Sequence, residues 1–257
     1  MGNNNKLSRF CAGCIAISLI IFVMISCNGS KKTDAIKASV YIVSRLDLHM
    51  IIDGNWDKSQ WQNIQVIDII NYMGSMPGFR PQVQAKMMYD ENNIYVIFHV
   101  QDRYVRCLTK ETNGPVWEDA AVEFFFAPDS SLPLLYFNLE TNCGGTPLMH
   151  YNLVPRKESK ELEVEDIKKI EIAHSLPQII DPEMSDPVTW TLEYRIPLAM
   201  LEKYSLVTHP EKGVEWRANF YKIAENNSNP HYITWAVVEN SKPDFHLPQF
   251  FGKLKFE

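Results

Sequence analysis

An antiparallel β-sandwich, built as one all-β domain, is the fold class that the sequence predicts. Three observations carry it. Short apolar or alternating segments recur along the chain with turn residues between them. Two of them alternate cleanly. Trp190, Leu192, Tyr194 and Ile196 oppose Thr191, Glu193 and Arg195, and Val214, Trp216, Ala218 and Phe220 oppose Glu215, Arg217, Asn219 and Tyr221. No long segment carries the 3.6-residue period of an amphipathic helix. A chain of 257 residues, 46% hydrophobic with only 11 glycines, supplies core for one large domain.

The first residues read as a targeting segment. Residues 1–9 carry Lys6 and Arg9 and no acid, and residues 10–25 are apolar and uncharged. That length suits a signal-peptide core and is short for a spanning helix. The segment ends Met24-Ile25-Ser26-Cys27, similar to the lipobox of bacterial lipoproteins, in which the cysteine becomes the lipidated first residue. The expected organisation is a signal peptide over 1–26, a polar tether over 27–39 and the β-domain over 40–257. A retained membrane anchor is the other reading. Cys11 and Cys14 fall inside the signal segment, so a redox or metal role there is disfavoured. Cys107 and Cys143 remain, an even pair in an oxidising compartment, which supports a disulfide; two separate buried thiols are the alternative.

The elements follow in order. Residues 40–43 form a first strand, and Ile51-Ile52-Asp53-Gly54 a strand end and turn. Residues 57–62 form one helical turn carrying Trp61. Residues 71–81 hold two glycines and two prolines and read as a loop. Residues 84–89 and 94–100 flank the turn Asp90-Glu91-Asn92-Asn93 as a hairpin, the second strand apolar enough to be covered on both faces. Further strands are expected at 121–126, 134–142, 169–173, 190–196, 214–222, 232–238 and 251–256. Residues 158–169 read as solvated helix or loop, and 198–204 as a short helix after Pro197.

The formal charge of −6, with no basic stripe, argues against a nucleic-acid partner. The stretch from Pro115 to Phe126 is the best functional lead. Trp117 stands at the mouth of a buried strand beside Glu118, Asp119 and Glu123. A flat ring edged by hydrogen-bonding groups suits a sugar, which has apolar C–H faces and hydroxyl edges. Alone, the stretch reads first as a core strand with a solvated acidic cap. On the next strand Asn138, Glu140 and Asn142 share one face, either a wet surface or a polar floor for hydroxyls. Phe245 lies in a loop bracketed by Pro243 and Pro248, either touching a ligand or packing back as a loop anchor.

From about residue 50 to the end, the chain resembles the family 9 carbohydrate-binding modules, in the branch found in bacterial lipoproteins. The resemblance rests on Ile52-Asp53-Gly54 with Trp61, Asp90-Glu91-Asn92-Asn93-Ile94-Tyr95-Val96, and Trp117-Glu118-Asp119 running into Val122-Glu123-Phe124-Phe125. It continues through Tyr136 to Asn142, Trp216 to Lys222, Pro230-His231-Tyr232, and Pro243-Asp244-Phe245-His246 into Phe251-Gly252-Lys253-Leu254. The resemblance implies a β-sandwich that binds oligo- or polysaccharide in a slot between two aromatics. These match Trp117 and Phe245, the latter standing where the family commonly has Trp. The family's ligand-binding glutamate matches Glu123. Asn138 and Glu140 occupy the strand on which some members carry an arginine. Asn219, Lys222, His231 and His246 are rim candidates. The resemblance also implies structural calcium, for which no ligand set is matched here; no other cofactor is expected.

The expected function is therefore glycan binding without catalysis by a lipid-anchored protein of a bacterial envelope, on the periplasmic side or the cell surface. Two alternatives stand beside it. One is a glycoside hydrolase activity, since carboxylate pairs are its minimum requirement. The other is a structural envelope lipoprotein with a degenerate sugar site.

Overall fold

The computed structural model describes residues 39–47 and 50–257. The expectations for the signal segment, Cys27 and most of the tether lie outside these residues. Strands dominate. They are β1 (Val40–Arg45), β2 (Ile67–Asp68), β3 (Asn71–Tyr72), β4 (Gln82–Tyr89), β5 (Asn93–Asp102), β6 (Val105–Cys107), β7 (Ala121–Ala127) and β8 (Tyr136–Asn142). After these come β9 (Pro147–Val154), β10 (Glu158–Glu161), β11 (Glu171–His174), β12 (Ile180–Met184), β13 (Val188–Pro197), β14 (Glu215–Ala224), β15 (His231–Thr234) and β16 (Gly252–Phe256). Two single-turn helices interrupt them, α1 (Val164–Ile167) and α2 (Leu198–Leu201). No helix among the described residues is long and apolar enough to cross a membrane.

One curled sheet orders its main strands β10-β9-β8-β7-β14-β16-β1-β4-β5-β13-β11. The purely antiparallel expectation needs correction, because the sheet is mixed. β1 runs parallel to both its neighbours, pairing Val40–Val43 with β16 and Ser44 and Arg45 with β4. One strand thus passes from one half of the sheet to the other, as at the corner of a sandwich. Local alternation does not encode that seam, since it joins the two ends of the described chain.

The main core lies between the two halves. Trp190, Leu192, Tyr194 and Ile196 point into it from β13, and Trp216, Ala218 and Phe220 from β14, as the alternation predicts. Phe124 stacks between Phe126 and Phe220, at centroid distances of 4.6 and 4.8 Å. β7 is buried along its whole length because its other face is covered too. Ala121, Phe125 and Ala127 join a second apolar cluster there with Tyr136, Tyr221 and Phe245. Residues 158–169 resolve into the exposed strand β10 and α1. The C-terminal strand expected over 232–238 is shorter, as β15.

A third cluster packs Trp61 and Met50 on the outer face of β4 and β5. The buried carboxylate of Glu193 organises it. It accepts from the backbone N–H groups of Asp53 and Gly54 at 3.0 and 2.8 Å, and from Lys58 Nζ and Trp61 Nε1, both at 2.8 Å.

The expected Cys107–Cys143 disulfide is absent; both cysteines are free and buried. Cys107 Sγ donates to Gln178 O at 3.2 Å. Its contact with Cys143, together with burial, pushes the Cys143 thiol well up, so Cys143 stays protonated.

Candidate functional site

The outer face of β7 and β8 opens into a cleft of about 380 Å³. Trp117, Glu123, Asn138, Glu140, Phe245 and His246 line it, so six of the sequence-predicted side chains converge. The period of two explains the floor. Glu123 of β7 lies directly opposite Glu140 of β8, and Asn138 lies two residues along the same face.

Trp117 projects from a single 3₁₀ turn, Val116–Glu118, and is half-buried. The neighbouring acids do not all face the ligand space. The buried Asp119 carboxylate accepts from the N–H groups of Leu108 and Thr109 and from Asn142 Nδ2, each at 2.9 Å. It holds the loop that aims Trp117. Glu118 is exposed and accepts from Asn226 Nδ2.

Phe245 corrects the idea of two opposed platforms. It is only 5% exposed, and its ring stacks on Tyr221 at 4.1 Å between centroids and 16° between planes. Tyr221 Oη also donates to Phe245 O at 3.1 Å. Phe245 is thus a loop anchor that forms part of the cleft wall. The aromatic lining the cleft with a partly exposed ring, besides Trp117, is Tyr232 of β15. Its alternation partners His231 and Ile233 point inward.

Three rim candidates lie elsewhere. Asn219 is buried, with its side chain committed to the backbone of Ala236 and Phe220. Lys222 falls on the core side of β14, at the parity of Ala218 and Phe220. There it is fully buried, 3.2 Å from Asp102 Oδ2, although that oxygen makes no aligned hydrogen bond. His231 is its neighbour. Burial, reinforced by Lys222, pushes the His231 pKa down to about 3, so the ring is neutral. A neutral ring fits both contacts, with Nε2 accepting from Lys222 Nζ at 2.9 Å and Nδ1 donating to Asn229 O at 2.7 Å. This trio staples the two halves of the sheet.

The walls of the cleft were not foreseen. The β9–β10 hairpin contributes His150, Asn152, Arg156 and Glu158, and Glu225 follows β14. Arg156 sits at the hairpin tip with φ of 60°. Its guanidinium reaches Asp244 Oδ1 through Nε at 3.0 Å and Nη2 at 2.7 Å. This clasp joins the hairpin to the loop carrying Phe245 and His246. His246 hydrogen-bonds Tyr136 Oη through Nδ1 at 2.8 Å. Burial, with Arg156 adding to it, lowers its pKa to about 3, so it too is neutral.

The floor is a chain of polar groups. Asn152 Nδ2 donates to Asn138 Oδ1 at 2.6 Å, and Asn138 Nδ2 donates to Glu140 Oε1 at 2.8 Å. Glu123 Oε2 is buried and has no partner. Burial raises the Glu123 pKa well above the usual carboxylate range, and the facing Glu140 raises it further. Burial raises Glu140 to about 7, against the hydrogen bond from Asn138. The pair therefore holds a proton below neutrality, offering one donor and acceptors to a hydroxylated ligand.

A raised carboxyl pKa gives stability that is full below the unfolded value and is lost as pH rises through the folded one. For Glu140 that window runs from about 4.5 to about 7, and the loss is about 3 kcal/mol. The neutral histidines act in the opposite sense, losing stability as pH falls below 6.5, so the readout is the difference between variant and wild type. Glu140→Gln should match wild type near pH 5 and melt at higher temperature at pH 8. Melting curves that stay parallel across this range would rule out the shared proton.

The calcium expectation has no matching ligands. Among the described residues, no group of three or more His, Cys, Asp or Glu side chains is placed to hold a metal ion.

The family model described as carbohydrate-binding family 9 matches residues 50–256. Among solved structures, a candidate carbohydrate-binding protein from Bacteroides uniformis is 25% identical, with a TM-score of 0.77 over 86% of this chain and 100% of its own. A family 9 carbohydrate-binding module from Caldicellulosiruptor kristjanssonii has been solved with cellotriose and with glucose. The two structures are 16% and 17% identical, with TM-scores of 0.59 and 0.57, covering 85% of this chain and 94% and 96% of their own. At that identity the likeness concerns the fold alone. No curated protein matches the chain.

Proposed function

Because the chain belongs to carbohydrate-binding family 9, we propose that it captures a glycan in the cleft over β7 and β8, without catalysis. The observation that carries the reading is the cleft's composition. Trp117 and Tyr232 offer ring faces, and Glu123, Asn138 and Glu140 form a floor of donors and acceptors beneath them. Sugar rings need both, since their C–H faces stack on aromatics and their hydroxyl edges need polar partners. The complexes of the Caldicellulosiruptor kristjanssonii module with cellotriose and glucose support a glucose-type ring as the ligand.

A glycan array with the full chain tests the reading, and the expected result is retention on a defined set of oligosaccharides. Loss of specific retention across the array would remove it. Glu123 and Glu140 also supply the two carboxyls that hydrolysis would require. Release of reducing sugar by the purified chain, abolished by Glu123→Gln, would replace binding with catalysis.

The reading includes an envelope location through a lipid on Cys27, supported by Lys6 and Arg9, the apolar run of residues 10–25 and the lipobox-like Met24-Ile25-Ser26-Cys27. Cys27→Ala should move the protein from the membrane fraction to the soluble one. An unchanged membrane fraction would discount the lipid.

A further inference from the structure

The floor of the cleft carries a charge imbalance that uncharged hydroxyls do not neutralise. Glu123 and Glu140 are directly opposed on antiparallel strands, a geometry that places Cβ atoms about 5 Å apart. They are 2% and 5% exposed. Glu140 receives one hydrogen bond, from Asn138, and Glu123 Oε2 receives none.

The surrounding charges do not balance the pair. Glu158, Glu225 and Asp244 add three acids to the lining. The Arg156 guanidinium is held by Asp244, and Lys157 stands exposed at the hairpin tip. His246 is neutral, and burial also lowers the pKa of His150. Lys222 acts on Glu123 only from the core side, where it is paired with Asp102. Tyr136 and Tyr221, packed beside the pair, stay protonated. A buried carboxylate without a partner is costly, and a cation placed between two carboxylates removes both their repulsion and the orphaned acceptor.

We propose that the sugar taken by this cleft is cationic: a hexosamine ring with a free amino group, whose ammonium is bound between the carboxylates of Glu123 and Glu140. The inference rests on the carbohydrate-binding reading and narrows it. An ammonium brings three donors to a site rich in acceptors, where a hydroxyl brings one. Binding displaces the proton that the pair holds into the buffer, and both carboxylates become acceptors. Acidic sugars are disfavoured by the same charges.

Three matched β-1,4-linked disaccharides test this with the full chain by titration calorimetry at pH 6, where the pair holds its proton and the amino sugar is an ammonium. They are cellobiose, the glucosamine dimer and the N-acetylglucosamine dimer, which present a hydroxyl, an ammonium and an uncharged acetamide at one position. The glucosamine dimer is expected to bind at least tenfold tighter than either of the others, with proton release visible as a dependence of the heat on the buffer. In Glu123→Gln and in Glu140→Gln the ratio between the amino and neutral sugars should fall towards one. Thermal melts confirm that each variant is folded, and either variant alone suffices. If cellobiose binds as well as the glucosamine dimer or better, the amino-sugar proposal is overturned while carbohydrate binding stands. If none of the three binds but the array retains other glycans, this proposal falls alone. If the array also shows no retention, both fall.

Discussion

Trp117→Ala is expected to weaken glycan binding by about 1–3 kcal/mol, roughly five- to 150-fold in Kd, while leaving the fold intact. The indole is half-buried at the cleft, so about one ring face is left for a ligand. Tyr232 alone would then provide an accessible ring, since the face of Phe245 is taken by Tyr221. The turn itself does not depend on the indole. Asp119 N–H donates to Val116 O, and the Asp119 carboxylate ties the turn to Leu108 and Thr109. Calorimetry with the tightest array ligand, paired with a thermal melt, separates the two effects. Wild-type affinity in a folded variant would place the ligand elsewhere.

Glu193→Ala should have the largest effect on stability, about 3–5 kcal/mol. Its carboxylate is fully buried and gathers four donors from residues 53–61, one of them the charged Lys58. Truncation leaves two backbone N–H groups and the Trp61 indole N–H without their acceptor. Lys58 would retain Asp53, at 2.7 Å on the exposed side, and the backbone carbonyl of Ile51. Urea unfolding measures the loss, and proteolysis within residues 50–61 should accelerate. A change below about 1 kcal/mol would mean that Trp61 packing, with the bonds from Lys86 to Trp61 O and from Thr191 to Gly54 O, holds the segment without Glu193. Glycan binding in the surviving folded fraction should be unaffected, because this cluster lies on the outer face of the opposite half of the sheet.

Most central strands and the core were legible in the sequence because period-two alternation states which side chains share a face. That rule placed Trp190, Leu192 and Tyr194 inward, and grouped Asn138 with Glu140. The same rule also locates two of the expected rim groups. Lys222 continues the parity of Trp216, Ala218 and Phe220, so it enters the core. In β15 the parity of His231 and Ile233 points inward and that of Tyr232 points to the cleft. The signal for Tyr232 therefore lies in the same alternation as His231. Asn219 is different. Its parity is outward, and only the return of the chain at Trp235 and Ala236 covers it. Arg156 and Asp244 carry no local signal at all, because their pairing joins positions 88 residues apart.

By itself the sequence determined the β-rich class, the positions of most central strands though not of β9, β10 or β12, the family, and Trp117 and Glu123 as cleft residues. These follow from short-range patterns and from motifs confined to one or two strands. Tertiary structure decided what covers each face. It paired β1 in parallel with two strands, left Cys107 and Cys143 as buried thiols, and turned Phe245 from a platform into an anchor. It also closed the hairpin over the paired carboxylates. Alternation fixes the direction of a side chain from its own strand, but burial, charge and access depend on segments that arrive from far along the chain.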